Sequence, residues 1–270
     1  MKQNTQKLLT WLYSPADRKP IDAPADRKSI DAPTDRNPRA IDYQQLALIL
    51  PDMTPGGRRS LIYFLTQKHL ICTNTLGGKT TISLTSHGTD ALISQFPVFS
   101  KALREWQGEW SMLIFHKGPK GDPHFRYLRQ LLLDQHAFSL SRGVYLYPGE
   151  LPSQVSNLCK EMYVGAVTVA MVSQWIFGDE RRAVSDHYIL SDIAEIYSGI
   201  SNEINQLLET QNEQKRLTKK VRLQIYSVFD RLFNVLSLDP GFLHYYYPQL
   251  PTAEQLLNQL HSVLILFDSI

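Results

Sequence analysis

The order of apolar periodicities predicts an α+β chain built as three successive units. Between 41 and 98, two helical stripes are followed by a glycine-turned pair of strands and a third helix. Between 103 and 180, strand-like and helix-like runs alternate as β-α-β-β-α-β, and from 186 to 270 only helical spacing remains. A chain of 270 residues that is 43% apolar holds enough material for two or three cores, and a charged fraction of 20% excludes a disordered polyelectrolyte.

The first element is a short amphipathic helix from Asn4 to Tyr13, with Leu8, Leu9, Trp11 and Leu12 on its apolar side. An imperfect nine-residue repeat follows: Asp17-Arg18-Lys19-Pro20-Ile21-Asp22-Ala23-Pro24-Ala25 recurs as Asp26 to Thr34 and decays through Asp35-Arg36-Asn37-Pro38. Prolines at this density block helix, and the aspartates nearly cancel the basic residues, so residues 1–40 read as a helix plus a solvated linker.

From Ile41 the pattern becomes regular. Asp42 caps a helix running to about Leu50, and Pro51 ends it. Thr54-Pro55 supplies an N-cap and a first-turn proline for a second helix to about Lys68. His69 to Thr75 reads as a strand, Leu76-Gly77-Gly78-Lys79 as a turn and Thr80 to Leu84 as the returning strand, before a helix from Ser86. This is the order of a winged helix-turn-helix over 41–98.

In the second unit, Trp110 to Phe115 is a strand, Gly118 to Pro123 a loop, and His124 to Gln135 a helix with Phe125, Leu128, Leu131 and Leu132 on one side. Two apolar runs around Arg142-Gly143, a short helix from Leu151 to Lys160 and a strand from Tyr163 to Ile176 complete a ferredoxin-like split βαβ sandwich over 103–180. In the helical C-terminal domain, one helix carries Ile189, Ile193, Ile196, Tyr197, Ile200, Ile204, Leu207 and Leu208. A second carries Leu223, Tyr226, Phe229, Leu232, Phe233 and Leu236, stopped by Asp239-Pro240-Gly241, and a last one runs from about Thr252 to Phe267. The polar run Glu209 to Lys220 extends the first of these or bridges to the second.

Charge is distributed unevenly. Residues 1–96 carry 12 Lys/Arg against 8 Asp and no Glu, whereas the remainder carries 16 against 18. A basic front and a slightly acidic rear fit a nucleic-acid binder with a protein-facing body. Cys72 and Cys159 make neither a disulfide framework nor a CxxC pair, no apolar run reaches the roughly 18 residues of a membrane span, and the first residues lack the pattern of a signal peptide. A cytoplasmic location is expected.

Several stretches taken together resemble the PaaX family of bacterial transcriptional repressors. Thr54 to Ile71 stands where that family has its recognition helix. Gly77-Gly78-Lys79 followed by Ile82-Ser83-Leu84-Thr85-Ser86-His87-Gly88 resembles its wing and the LTxxG that closes it. Glu109 to Phe115, Phe125 to Arg129 and Arg142 to Pro148 resemble its central domain, and Ile189 to Tyr197 with Leu238 to Leu243 its helical end. The chain departs from the family in the inserted repeat, which suggests that the first helix reaches the winged-helix core from a distance. It departs again in Gly56-Gly57, and in having Tyr245-Tyr246-Tyr247-Pro248 near the place of a Trp-Pro-Gly element.

The resemblance implies a homodimeric repressor on a double-stranded DNA operator, released by a small-molecule effector such as an acyl-CoA thioester, and not an enzyme. Duplex recognition needs cations for phosphates and hydrogen-bonding side chains for base edges. The solvent side of the second helix provides Arg58, Arg59, Ser60, Tyr63, Gln67 and Lys68, with Thr54 at its start on a phosphate and Lys79 at the wing tip. The effector site has no assigned residue. Neither a membrane nor a cofactor is expected.

Two other readings compete. A ferredoxin-like nuclease of the CRISPR-associated type needs a carboxylate after the first strand, but Phe115-His116-Lys117 stands there and the next carboxylate is Asp122. A protein-interaction module without DNA affinity is the other. His116, His124 and His136 lack the spacing of zinc ligands, Gly118-Pro119-Lys120-Gly121 lacks that of a phosphate loop, and Tyr245 to Tyr247 reads as an aromatic cluster packed over the helical domain.

Overall fold

The computed structural model describes residues 1–14, 39–76, 78–116, 123–213 and 218–268. It is an α+β protein with two antiparallel sheets and a helical C-terminal region among those residues. Packing divides the chain into two units that are discontinuous in sequence. One comprises Met1–Phe99, Glu195–Ser237 and Leu250–Ile270; the other comprises Ser100–Ala194 and Leu238–Gln249.

In the first unit, α1 (Gln3–Leu12) precedes a short strand β1 (Ile41–Asp42), a 3-10 turn (Tyr43–Gln45) and α2 (Leu46–Ile49). Asp42 accepts from the Gln44 amide while Gln45 reaches back to the Asp42 amide at 3.0 Å, so the expected capping residue acts one turn earlier, on the 3-10 turn. Then come α3 (Pro55–Gln67), β2 (Ile71–Leu76), β3 (Lys79–Leu84) and α4 (Ser86–Ile93). β3 is the central strand, with β2 and β1 antiparallel on its two sides. The C-terminal part supplies α9 (Leu190–Glu213) from Glu195 onward, α10 (Lys219–Leu236) and α12 (Ala253–Asp268), and α10 lies against both α2 and α12. On α10, Ile225 and Val228 are buried and Leu223 is exposed, which corrects the expected apolar stripe.

α1 is part of this core. Leu8, Leu9 and Leu12 are fully buried, and Trp11 meets Phe229 edge-on at 4.7 Å and His261 at 4.1 Å. Burial opposes the charge of Lys7, but its ion pair and hydrogen bond with Asp230 outweigh that cost and raise its pKa. Tyr13 donates from its hydroxyl to buried Glu254 at 2.7 Å. Arg39 donates to the Tyr13 carbonyl and, at 2.6 Å, to Asn258.

Tyr13 and Arg39, the described residues that flank the repeat, therefore lie within an arginine's reach of each other. α1 has no distance to span, contrary to what the insertion suggests. The repeat itself lies outside the described residues. Replacing 17–36 by a short Gly/Ser linker is expected to leave thermal unfolding cooperative, with the midpoint within a few degrees. Shortening a loop fourfold favours closure by only about 1.2 kcal/mol. Loss of the cooperative transition in circular dichroism would show that the repeat is part of the core.

In the second unit, α5 (Lys101–Arg104) precedes β4 (Trp110–Phe115), α6 (Pro123–Asp134), β5 (Phe138–Ser141), β6 (Val144–Pro148), α7 (Ser153–Met162) and β7 (Val167–Val172). The sheet order is β5-β6-β4-β7, antiparallel throughout. Leu128 and Leu132 of α6, with Val155 and Cys159 of α7, pack on Leu113 and Tyr145 of one sheet face. β7 is shorter than expected. Tyr163 ends α7, and a turn through Gly165 (φ +80°) returns the Ala166 and Val167 amides to the Tyr163 carbonyl before pairing begins.

Near Trp110 the unit is closed by α8 (Glu180–Tyr188), which apolar periodicity does not announce, and α11 (Leu243–Tyr246). Glu180 accepts from the Trp110 indole at 3.0 Å and the Tyr246 hydroxyl at 2.9 Å. Ile189 ends α8 in the left-handed region (φ 49°), so the next helix starts one residue later than the apolar stripe indicates. Trp106 packs against Tyr245 and Tyr246 at 4.8 and 6.2 Å. The tyrosine run therefore packs on Trp106 within this sheet-bearing unit. Burial pushes the hydroxyl pKa values of Tyr188 and Tyr246 up.

Candidate nucleic-acid interface

Thr54 caps α3 by accepting from the Gly57 amide at 3.1 Å, and Pro55 occupies the first turn, where its missing amide costs nothing. The cap offsets the weak helix propensity of Gly56-Gly57. Tyr43 braces the same end by donating to the Pro55 carbonyl at 3.2 Å. Leu65 is the one fully buried residue of α3, with Leu61 and Ile62 half-buried. The opposite side is open: Arg59, Ser60, Gln67 and the flanking Lys68 are exposed, and so are Tyr63 at 69% and Phe64 at 51%. Arg59, Tyr63 and Gln67 recur every four residues and share one stripe.

The two arginines separate. Arg58 is half-buried and its Nε donates to the Met53 carbonyl at 3.1 Å, bracing the turn that leads into the helix. Arg59 is exposed on the outward stripe. Thr54 is exposed as well, but its oxygen serves the cap.

The β2–β3 ribbon is paired from Ile71↔Leu84 to Leu76↔Lys79. Thr75 and Thr80 hydroxyls bond across it at 3.1 Å, and Thr81 donates to the Asn74 carbonyl at 3.2 Å, so the ribbon is stiffened on its own surface. Gly78 has φ +82°, as a two-residue hairpin turn requires, and Lys79 is exposed beside it. Leu76 is 75% exposed at the same tip, and Thr73, Asn74 and Thr75 are also exposed. Neither cationic charge nor helix phase marks these positions. The uninterrupted run of small polar residues Thr73-Asn74-Thr75 before the turn is the signal that marks them.

One junction holds ribbon and helices together. His69 turns the chain in the left-handed region (φ 53°). Thr85 donates from its hydroxyl to the His69 carbonyl at 2.6 Å and accepts from the Gly88 amide at 3.0 Å, while its own amide bonds the Leu70 carbonyl at 3.2 Å. These contacts are the physical content of the Leu84-Thr85-Ser86-His87-Gly88 motif.

The described residues of the second unit form no comparable site. His116, at the end of β4, bonds the Thr168 hydroxyl at 2.6 Å through Nε2, and no group of three or more His, Cys, Asp or Glu side chains gathers around a metal position among the described residues. Lys117, Asp122, the Gly118–Gly121 loop and the His124 side chain lie outside them. Both cysteines are free, and no described helix is long and apolar enough to cross a membrane.

The chain matches no protein-family model and no curated protein. Among solved structures it is similar to an uncharacterised protein, Rv0674, from Mycobacterium tuberculosis: 14% identity over 97% of this chain and 92% of that one, with a TM-score of 0.42. A likeness at that score carries no argument about fold or function. The PaaX resemblance therefore rests on the sequence motifs.

Proposed function

We propose that this protein is a sequence-specific DNA-binding transcriptional repressor whose α3 enters the major groove and whose β2–β3 ribbon acts as a wing. The carrying observation is α3 itself: a 13-residue helix with one fully buried side chain, presenting Arg59, Ser60, Tyr63 and Gln67 outward next to a ribbon tipped by Lys79. A helix this exposed has few contacts to justify its position unless a partner covers its outer side. The element order around it and the three-stranded sheet support a winged helix-turn-helix, and the order β5-β6-β4-β7 supports a ferredoxin-like sandwich. DNase footprinting of the purified protein on the region upstream of its own gene tests the reading. A discrete protected segment is expected, and no retardation of that fragment even at low salt would instead support a protein-interaction module.

The proposed repressor acts as a homodimer on a roughly two-fold operator. The surface that supports pairing is β7, an outer strand of its sheet. Residues 163–178 contain no charged residue and no proline, the usual protections of a strand edge. Val169 and Met171 are exposed on β7, and Ile176 and Phe177 beyond it are 96% and 97% exposed. Val169→Lys with Met171→Lys is expected to convert a dimer into a monomer in light scattering at unchanged secondary structure. A dimer that survives both lysines places the interface elsewhere.

Release by a small molecule belongs to the same proposal, an acyl-CoA thioester being what the PaaX resemblance implies. Such a ligand acts by binding the released conformation more tightly than the DNA-bound one.

A further inference from the structure

We propose that Lys219, Lys220 and Arg222 of α10 form a second phosphate-binding element, holding the DNA backbone that flanks the segment read by α3. The inference rests on the DNA-binding reading above and extends the interface to a part of the chain far away in sequence.

These three cations fall within four residues and all are exposed, whereas Val221 between them and Ile225 one turn on are buried in the core of the same unit. None of the three forms an ion pair with a described residue. That distinguishes them from Lys7 and Arg231, which are committed to Asp230 and Glu203.

Their position relative to α3 is set by two contacts. α10 packs on α2, the helix immediately before the turn into α3. From α10, the Tyr226 hydroxyl bonds the Asp52 carboxylate at 3.5 Å, and Asp52 stands two residues before Thr54, the cap of α3. Arg222 is four residues before Tyr226 and so lies on the same side of α10, about 6 Å nearer its start. The basic segment thus borders the turn that opens the proposed recognition helix. In helix-turn-helix complexes, the backbone phosphates pass beside that turn. Asp52 is an acidic group at this border, and its carboxylate is engaged by Tyr226. Three neighbouring cations outweigh it.

The element carries no base-reading geometry, so its contribution is independent of sequence. The test is the triple variant Lys219→Ala, Lys220→Ala, Arg222→Ala in the full chain, titrated against a duplex from its own upstream region and a scrambled duplex over a range of salt. Affinity for both duplexes is expected to fall by the same factor, at least tenfold. The slope of log K against log salt is expected to flatten by about 2 to 3, roughly 0.9 for each phosphate that is no longer neutralised. Lys219→Arg with Lys220→Arg, which keeps the charge, should bind as the parent does.

An unchanged slope in a triple variant that melts like the parent overturns this proposal alone, provided Arg59→Ala still removes operator preference. If Arg59→Ala has no effect on preference, the DNA-binding reading itself fails.

Discussion

Replacing Gly88 by alanine is expected to destabilise the first unit by about 2–3 kcal/mol, in the range for inserting a methyl group into a closed interior. A Cβ at this position would lie 2.0 Å from the Leu70 carbonyl oxygen and 2.9 Å from Leu84 Cδ1. The oxygen cannot retreat cheaply, because it also accepts the Thr85 amide at 3.2 Å. Moving α4 instead would separate Gly88 from the Thr85 cap. The helix propensity gained with alanine, about 1 kcal/mol, works in the other direction and is smaller. The thermal midpoint should therefore drop by roughly 5–10 °C. Gly56→Ala is the matched control: a Cβ there meets nothing within 4 Å, so its midpoint should stay at or slightly above that of the parent. A Gly88→Ala protein that melts like the parent would mean that α4 and the ribbon are not in contact as described.

Arg59→Ala is expected to lower the ratio of operator to scrambled-duplex affinity by roughly 5- to 150-fold, since a guanidinium fork on a guanine edge contributes about 1–3 kcal/mol of discrimination. Its exposure on the outward stripe with Tyr63 and Gln67 carries this expectation. Lys79→Ala should behave differently: affinity falls equally for both duplexes, and the salt slope flattens by about 0.9, because a wing-tip ammonium meets phosphate. Competition titrations at two salt concentrations separate the two behaviours. Arg58 belongs to a third class. Its Nε already braces Met53, so Arg58→Ala should loosen the entry to α3 and lower the melting temperature as well as affinity. A double alanine variant at 58 and 59 that kept full operator preference would falsify the assignment of α3.

Much of the local structure is readable from residue chemistry. Thr54-Pro55 announces the start of α3, the Gly-Gly turn announces the ribbon, and Trp110 to Phe115 forms a strand with the expected bounds. The departures lie where local and distant forces compete. The strand expected over Tyr163 to Ile176 contracts to β7 because a glycine turn and a helix cap claim its first residues. α8 escapes notice because Glu180 to Tyr188 is largely polar. Val184 is its buried residue, and its polar contacts include Glu180 reaching Trp110 and Tyr246 and Arg181 reaching the Tyr246 carbonyl.

The candidate interface divides along the same line. The cations of α3 and the wing can be named from helix phase and turn type. That Arg58 turns back onto the chain while Arg59 faces outward cannot, because both positions satisfy the same spacing rule. Lys219, Lys220 and Arg222 read as part of a polar connection until the Tyr226–Asp52 contact ties their helix to the turn before α3.

Periodicity, capping residues and turn chemistry are properties of neighbouring residues, so the kinds and order of most elements, and the outward stripe of α3, are already set by the amino-acid order. The grouping of Met1–Phe99 with two C-terminal stretches, and the return of the chain after the repeat through Arg39 to Tyr13 and Asn258, depend on residues far apart in sequence. Such pairings are selected by how apolar surfaces and buried polar groups satisfy each other once the chain is collapsed, and no local pattern encodes that choice.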